Sequence, residues 1–226
     1  MPLLKIPFLL ASAAGVYVSM TPPNPRPLQN QVNALFSKRE RVFSAVARIY
    51  HFGAKFVICS GALFEAAVII ARLWPAHAIS QRIMAALIFG PSSLADQITV
   101  SPMFVVGSTI AAVSGFIRYR CYRELGRMFT FELSIQDDHK LVTGGPYAIV
   151  RHPSYPAAIA CVAGLGIAYG TCGSWVRECG VMDTVTGRVA AWVYSGLWVY
   201  GSWNALRRTV EEDAILKARF GSQWDE

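Results

Sequence analysis

The chain has 226 residues, of which 54% are hydrophobic and only 15% charged, with a formal net charge of +7. An ordinary soluble domain carries about 25% charged residues, and a short chain cannot hide this much apolar surface in a water-soluble core, so lipid is the expected solvent. The positive excess is therefore read from its placement along the chain, as topology, and not as a nucleic-acid footprint.

In chain order, five stretches are apolar and long enough to approach the ~20 residues of helix that cross a bilayer: 3–20, 52–73, 103–119, 154–171 and 189–206. The first reads either as a cleaved signal peptide or as a retained span. Thr21-Pro22-Pro23-Asn24-Pro25-Arg26-Pro27 is a poor cleavage region and four more apolar stretches follow, which favours the span. Glu65 falls inside the second stretch and is expected to be buried and paired, or to face a cavity, since lipid does not solvate a carboxylate. A sixth apolar patch, 83–90, is too short to span. It reads as a re-entrant or interfacial piece, or as the end of a longer tilted helix.

Fifteen basic residues (Arg26, Lys38, Arg39, Arg41, Arg48, Arg118, Arg120, Arg123, Arg127, Lys140, Arg151, Arg207, Arg208, Lys217 and Arg219) fall on one face if all five stretches span. Five (Lys5, Arg72, Arg82, Arg177 and Arg188) fall on the other, and Lys55 sits at a span end. The positive-inside rule puts the rich face in the cytosol. The polar stretches 120–153 and 207–226 then lie on that same face. They flank a helix pair, 154–171 and 189–206, whose first member carries Ala157, Ala158, Ala160, Ala163, Gly164, Gly166, Ala168 and Gly170. Small residues of this kind let helices approach closely in lipid.

Two polar constellations stand at that face. The first runs His139-Lys140-Leu141-Val142-Thr143-Gly144-Gly145-Pro146-Tyr147 and then Arg151-His152-Pro153-Ser154-Tyr155. A Gly-Gly-Pro turn leads to a helix start at Pro153, and exposed N–H groups beside Arg151 and His152 suit an anionic group. Taken alone, the same residues fit interfacial anchoring. The second is Arg207-Arg208-Thr209-Val210-Glu211-Glu212-Asp213 followed by Phe220-Gly221-Ser222-Gln223-Trp224. Arg208 and Glu212 share a helix face there, which alone means only a surface ion pair.

In this order and spacing, the two constellations resemble the isoprenylcysteine carboxyl methyltransferase family, and more broadly the membrane methyltransferases that include phospholipid methyltransferases. The motif-bearing resemblance covers about residues 124–226. It implies an all-α polytopic bundle of about five spans, divided into N-terminal helices (1–123) and a C-terminal methyltransferase core (124–226) with a cytosolic cofactor pocket. By resemblance, S-adenosylmethionine is held by Glu132, His139, Lys140, Leu141, Val142, Tyr147, His152, Pro153, Ser154, Tyr155 and Glu212. Arg208 matches the family's substrate-contacting arginine, here taken as the catalytic residue. The acceptor the resemblance implies is the C-terminal carboxylate of an isoprenylated cysteine on a membrane-associated protein, and the location it implies is the endoplasmic reticulum.

That chemistry suits these residue types. An α-carboxylate has a reference pKa near 3.5 and needs no general base, so alignment and water exclusion are the protein's tasks. The nearest alternative is a phospholipid or other small lipophilic acceptor. A sterol-reductase-like enzyme, which would need NADPH, and a non-enzymatic scaffold are the others. The five cysteines show neither CxxC nor metal-ligand spacing, so no metal is expected, although a bridge between Cys172 and Cys179 stays open. The Gly164-Leu165-Gly166 run lies within an apolar stretch and is no dinucleotide loop.

Overall fold

Ser101 and Pro102 start the helix that organises the rest. The Ser101 hydroxyl accepts the Phe104 N–H at 3.2 Å, and Pro102 stands in the first turn, where a missing donor costs nothing. In the computed structural model, which describes residues 2–25, 38–131 and 140–224 (38–50 as backbone only), this helix is α4, Pro102–Leu125. The others are α1 (Lys5–Ser19), α2 (Lys38–Ala71), α3 (Ala78–Leu87), α5 (Ser154–Gly170), α6 (Trp175–Glu178) and α7 (Val185–Phe220). No strand occurs among the described residues, as expected for an all-α chain.

α4 is sandwiched between α1 and α5 at glycine crossings. A Cβ on Gly107 would lie 2.5 Å from the Gly164 carbonyl oxygen, and one on Gly115 would lie 2.4 Å from Gly15 Cα. Backbones this close leave room for no side chain, which is the use lipid-embedded helices make of small residues. Around the crossings, Val16, Ile58, Ala111, Cys161 and Leu165 form one buried cluster.

α1, α2 and α4 each provide a segment long and apolar enough to cross a membrane: Pro2–Ser19, His51–Ala71 and Pro102–Met128. α5 is apolar but shorter, at 17 residues. α7 has 36 residues, about 54 Å at ~1.5 Å per residue, but its apolar half is diluted by Trp, Tyr, Ser and Gly. It begins at a Thr184 cap, whose hydroxyl accepts the Gly187 N–H at 2.9 Å, and ends at Gly221, whose φ of +58° suits glycine. The patch 83–90 is part helix and part extended. It closes the ten-residue helix α3 and continues extended to Phe89, whose N–H bonds the Cys179 carbonyl at 2.9 Å.

One end of the bundle is tied off by loops. The Lys5 ammonium donates to the Gly173 carbonyl at 2.5 Å, lies 4.3 Å from the centre of the Phe104 ring and pairs with Glu65. Both charged side chains are fully buried, so Glu65 is buried and paired as its position required, while Lys5 is no flanking topology charge. Trp175 donates to the Leu87 carbonyl at 2.7 Å beside them. Cys172 and Cys179 are both free thiols. Burial pushes the Cys179 thiol up to about 11.

Candidate functional site

At the other end, α5 and α7 diverge and a cavity of about 230 Å³ opens between them and the last turns of α4. Along its apolar part α7 reaches α5 by two side-chain bonds, Tyr194 hydroxyl to Val162 carbonyl at 2.6 Å and Trp198 indole to Ile159 carbonyl at 3.2 Å. At the level of those bonds the walls are apolar: Ala158, Ile159 and Val162 from α5, Leu197, Trp198 and Tyr200 from α7. Above them the lining turns polar.

The polar half is built by side chains more than fifty residues apart. The Tyr155 hydroxyl donates to Glu212 Oε2 at 2.9 Å. His152 places Nε2 2.8 Å from Asp213 Oδ1 and Nδ1 3.5 Å from Glu212 Oε2. The reason is local. Pro153 caps α5 so that His152 and Tyr155 leave its first turn together, and Glu212 and Asp213 sit one turn beyond Arg208 on α7. Trp224, buried after the Gly221 turn, lies 6.2 Å from the His152 ring and under the Arg151 guanidinium at 5.2 Å.

Of the residues expected from sequence, Lys140, Leu141, Val142, Tyr147, His152, Ser154, Tyr155, Arg208 and Glu212 line this one cavity. Pro153 is buried behind the wall as the α5 cap and does not line it. Glu132 and His139 lie outside the described residues. Tyr147 stands where the 3-10 turn Gly145–Ala148 turns it inward. Burial first, and then the neighbouring Cys121 and Glu212, push its hydroxyl well above the usual tyrosine range, so it meets the cavity as a neutral group. Arg208 is buried, and its Nη1 donates to the Phe131 carbonyl at 2.8 Å.

Three features of the site escaped sequence reasoning: Asp213, which pairs with His152 without lining the cavity, and two sets of lining residues. Asp213 was hidden in a run of three acids, of which Glu211 is exposed and the other two half-buried. His51 and Met20 bring α2 and the end of α1 to the wall, so the cavity draws on residues well upstream of 124. Arg118, counted with a basic belt, is buried against Phe129, Phe131 and Tyr122. The signal for Arg118 was its helical phase: it shares a face with buried Ala111, Gly115 and Tyr122, while Arg120 and Arg123 point out.

The donor set suits a ligand that carries both signs of charge: Glu212, Arg118 and Arg208 line the cavity together with apolar Leu141 and Val142. Among the described residues no cluster of His, Cys, Asp and Glu is arranged to hold a metal.

Residues 105–176 match the sequence model of the isoprenylcysteine carboxyl methyltransferase family, so the resemblance carried by the motifs is borne out there. The chain is 27% identical over 123 residues to the probable protein-S-isoprenylcysteine O-methyltransferase of Oryza sativa subsp. indica, covering 54% of each chain. It is 29% identical over 122 residues to protein-S-isoprenylcysteine O-methyltransferase B of Arabidopsis thaliana, covering 53% of this chain and 52% of that one. The chain thus spans about half the length of the curated relatives it matches. The family match includes Lys140–Tyr155 and stops before α7, whose Glu212 and Arg208 reach the matched segment through Tyr155 and Phe131. No solved structure gives a significant match.

Proposed function

We propose that the chain is a membrane methyltransferase that moves a methyl group from S-adenosylmethionine to the C-terminal carboxylate of an isoprenylated cysteine, using the cavity between α5 and α7. The observation that carries this reading is the meeting of Tyr155 and His152 with Glu212 and Asp213 at 2.9 and 2.8 Å across a lined cavity. Two motifs that are each unremarkable alone thereby become one site.

Bound there, the cofactor would supply an electrophilic methyl group for transfer to the acceptor carboxylate, with its sulfur leaving as a thioether. Glu212, held by Tyr155, receives the cofactor's ammonium, and Leu141 and Val142 back its adenosyl part. Lys140, Tyr147, Ser154, Glu132 and His139 complete the proposed cofactor set, with Pro153 acting as the cap that aims His152 and Tyr155. Arg208 fixes the acceptor carboxylate by charge-assisted hydrogen bonds without removing its proton-free oxygen from attack. Trp198, Tyr200, Phe131 and Trp224 exclude water, which keeps those polar interactions strong.

The apolar lower half of the cavity suits the acceptor's lipid chain, which gains roughly 0.8 kcal/mol per CH₂ on leaving water and so travels in the bilayer. We further propose five spans, with α5 and α7 joining the three longer apolar segments, and the cavity facing the cytosol of the endoplasmic reticulum. With buried Arg118 and Arg208 set aside on one face and buried Lys5 on the other, the remaining split of thirteen to four basic residues supports that orientation. The partners are then prenylated C-terminal cysteines of membrane-associated proteins.

Calorimetric titration of detergent-solubilised protein with S-adenosylhomocysteine tests the cofactor assignment. Saturable one-to-one binding is expected. Absence of heat at high micromolar ligand would contradict it and favour a scaffold.

A further inference from the structure

A buried cation with no carboxylate beside it among the described residues calls for an anion. Arg118 is 7% exposed, yet among the described residues no carboxylate oxygen lies within ion-pair distance of it. Its hydrogen bonds go to neutral oxygens only. Nε donates to the Ser19 carbonyl at 2.9 Å and to the Tyr122 hydroxyl at 2.8 Å. Nη1 donates to the Ser154 carbonyl and hydroxyl, both at 2.8 Å. Nη2 has no acceptor among the described residues, and Arg118 lines the cavity.

These bonds also fix where the charge sits. They clamp the end of α1, the last turns of α4 and the first turn of α5 to one guanidinium, while the rings of Phe131, Tyr122 and Phe129 stand 5.2, 5.5 and 5.8 Å from it. A guanidinium carries its charge wherever it is placed, and burying it without a counter-ion is costly unless a ligand supplies one. A planar guanidinium with two nitrogens committed to the fold and the third left over is an arrangement for holding a carboxylate in a set direction. Arg208 alone does not supply this, because its Nη1 is already bonded to the Phe131 carbonyl.

We propose that Arg118, through Nη2, binds a ligand carboxylate in the cavity and forms with Arg208 a two-cation cradle. The inference rests on the methyl-transfer reading and deepens it. Two carboxylates enter such a site, that of the cofactor's amino-acid end and that of the acceptor, and both share the chemistry Arg118 recognises.

The test pairs each carboxylate ligand with a neutral analogue. Dissociation constants are measured in detergent for S-adenosylhomocysteine and its carboxamide, and for N-acetyl-S-farnesylcysteine and its methyl ester, on wild type, Arg118→Gln, Arg118→Lys and Ser154→Ala. Wild type should prefer one carboxylate over its neutral partner, and Arg118→Gln should weaken that ligand about 10- to 100-fold while changing the partner less than about 2-fold. Which pair shows the loss names the source of the carboxylate. Arg118→Lys, which keeps the charge without the fork, should retain part of the preference, and this variant decides the matter if Arg118→Gln does not fold. Ser154→Ala, which removes one clamp bond and no charge, should move both members of each pair alike.

Equal losses for carboxylate and neutral ligands in the Arg118 variants would make Arg118 a structural clamp and overturn the proposal. A wild-type protein that binds neither pair would instead overturn the methyl-transfer reading itself.

Discussion

Glu212→Gln is the substitution that separates charge from scaffold at this site. The carboxylate accepts the Tyr155 hydroxyl at 2.9 Å and stands 3.5 Å from His152 Nδ1, so its position is held by α5 as well as α7. A glutamine keeps an acceptor for Tyr155 and nearly the same shape, and removes only the negative charge. If that charge holds a ligand ammonium, its loss costs about 1.5–3 kcal/mol, roughly 10- to 150-fold in affinity. Tyr155→Phe leaves the charge and removes one hydrogen bond to a partly exposed carboxylate, about 0.5–1.5 kcal/mol or roughly 2- to 10-fold. Calorimetric titration with S-adenosylhomocysteine reads both. The expected order is Glu212→Gln weaker than Tyr155→Phe, with both variants as thermally stable as wild type to within a few degrees. Wild-type affinity in Glu212→Gln, or a larger loss in Tyr155→Phe, would refute the assignment of Glu212 to the cation end.

Arg208→Lys should leave S-adenosylhomocysteine affinity within about 3-fold of wild type and lower turnover of a carboxylate acceptor by about 10-fold or more, since a lysine cannot reproduce the planar fork; steady-state kinetics with labelled methyl donor check it. At the opposite end, Lys5→Met alone strands a buried carboxylate, at about 3–5 kcal/mol, and should lower the melting temperature in detergent by about 6–20 °C. The double variant Lys5→Met/Glu65→Leu should recover most of that loss, and failure to recover would mean that the pair does more than satisfy its own burial. An impermeant maleimide should label exposed Cys172 from the non-cytosolic side of sealed vesicles and leave Cys179 unlabelled, because burial holds the Cys179 thiol at about 11. Labelling of Cys172 from the cytosolic side would reverse the proposed orientation.

Most of the helical frame was legible because apolar length is a strong local signal: α1 and α5 begin and end within a residue or two of the stretches read from hydropathy alone, and α4 begins there but runs on to Leu125. α7 was read short, since its membrane half is diluted by Trp, Tyr and Gly and its second half is polar, yet one continuous helix carries both. That continuity matters, because it projects Arg208 and Glu212 to the height of the α5 start. The motif residues were legible as a set because order and spacing survive where single residues are ambiguous. Arg118 and Lys5 were not, for the same physical reason: a basic residue near the end of an apolar stretch looks like a topology charge until its helical phase and its neighbours across the bundle are known. Glu65 could be marked as buried from its place in an apolar run, but its partner lies sixty residues away, on a helix whose packing no local pattern encodes.

The central claim is best tested by methyl transfer to defined acceptors. Purified protein is supplied with S-adenosylmethionine labelled in its methyl group, together with N-acetyl-S-farnesylcysteine in one reaction and phosphatidylethanolamine in another. The account predicts a base-labile methyl ester on the farnesylcysteine and no label in the phospholipid. Label confined to the phospholipid, with none on the prenylated carboxylate, would contradict it.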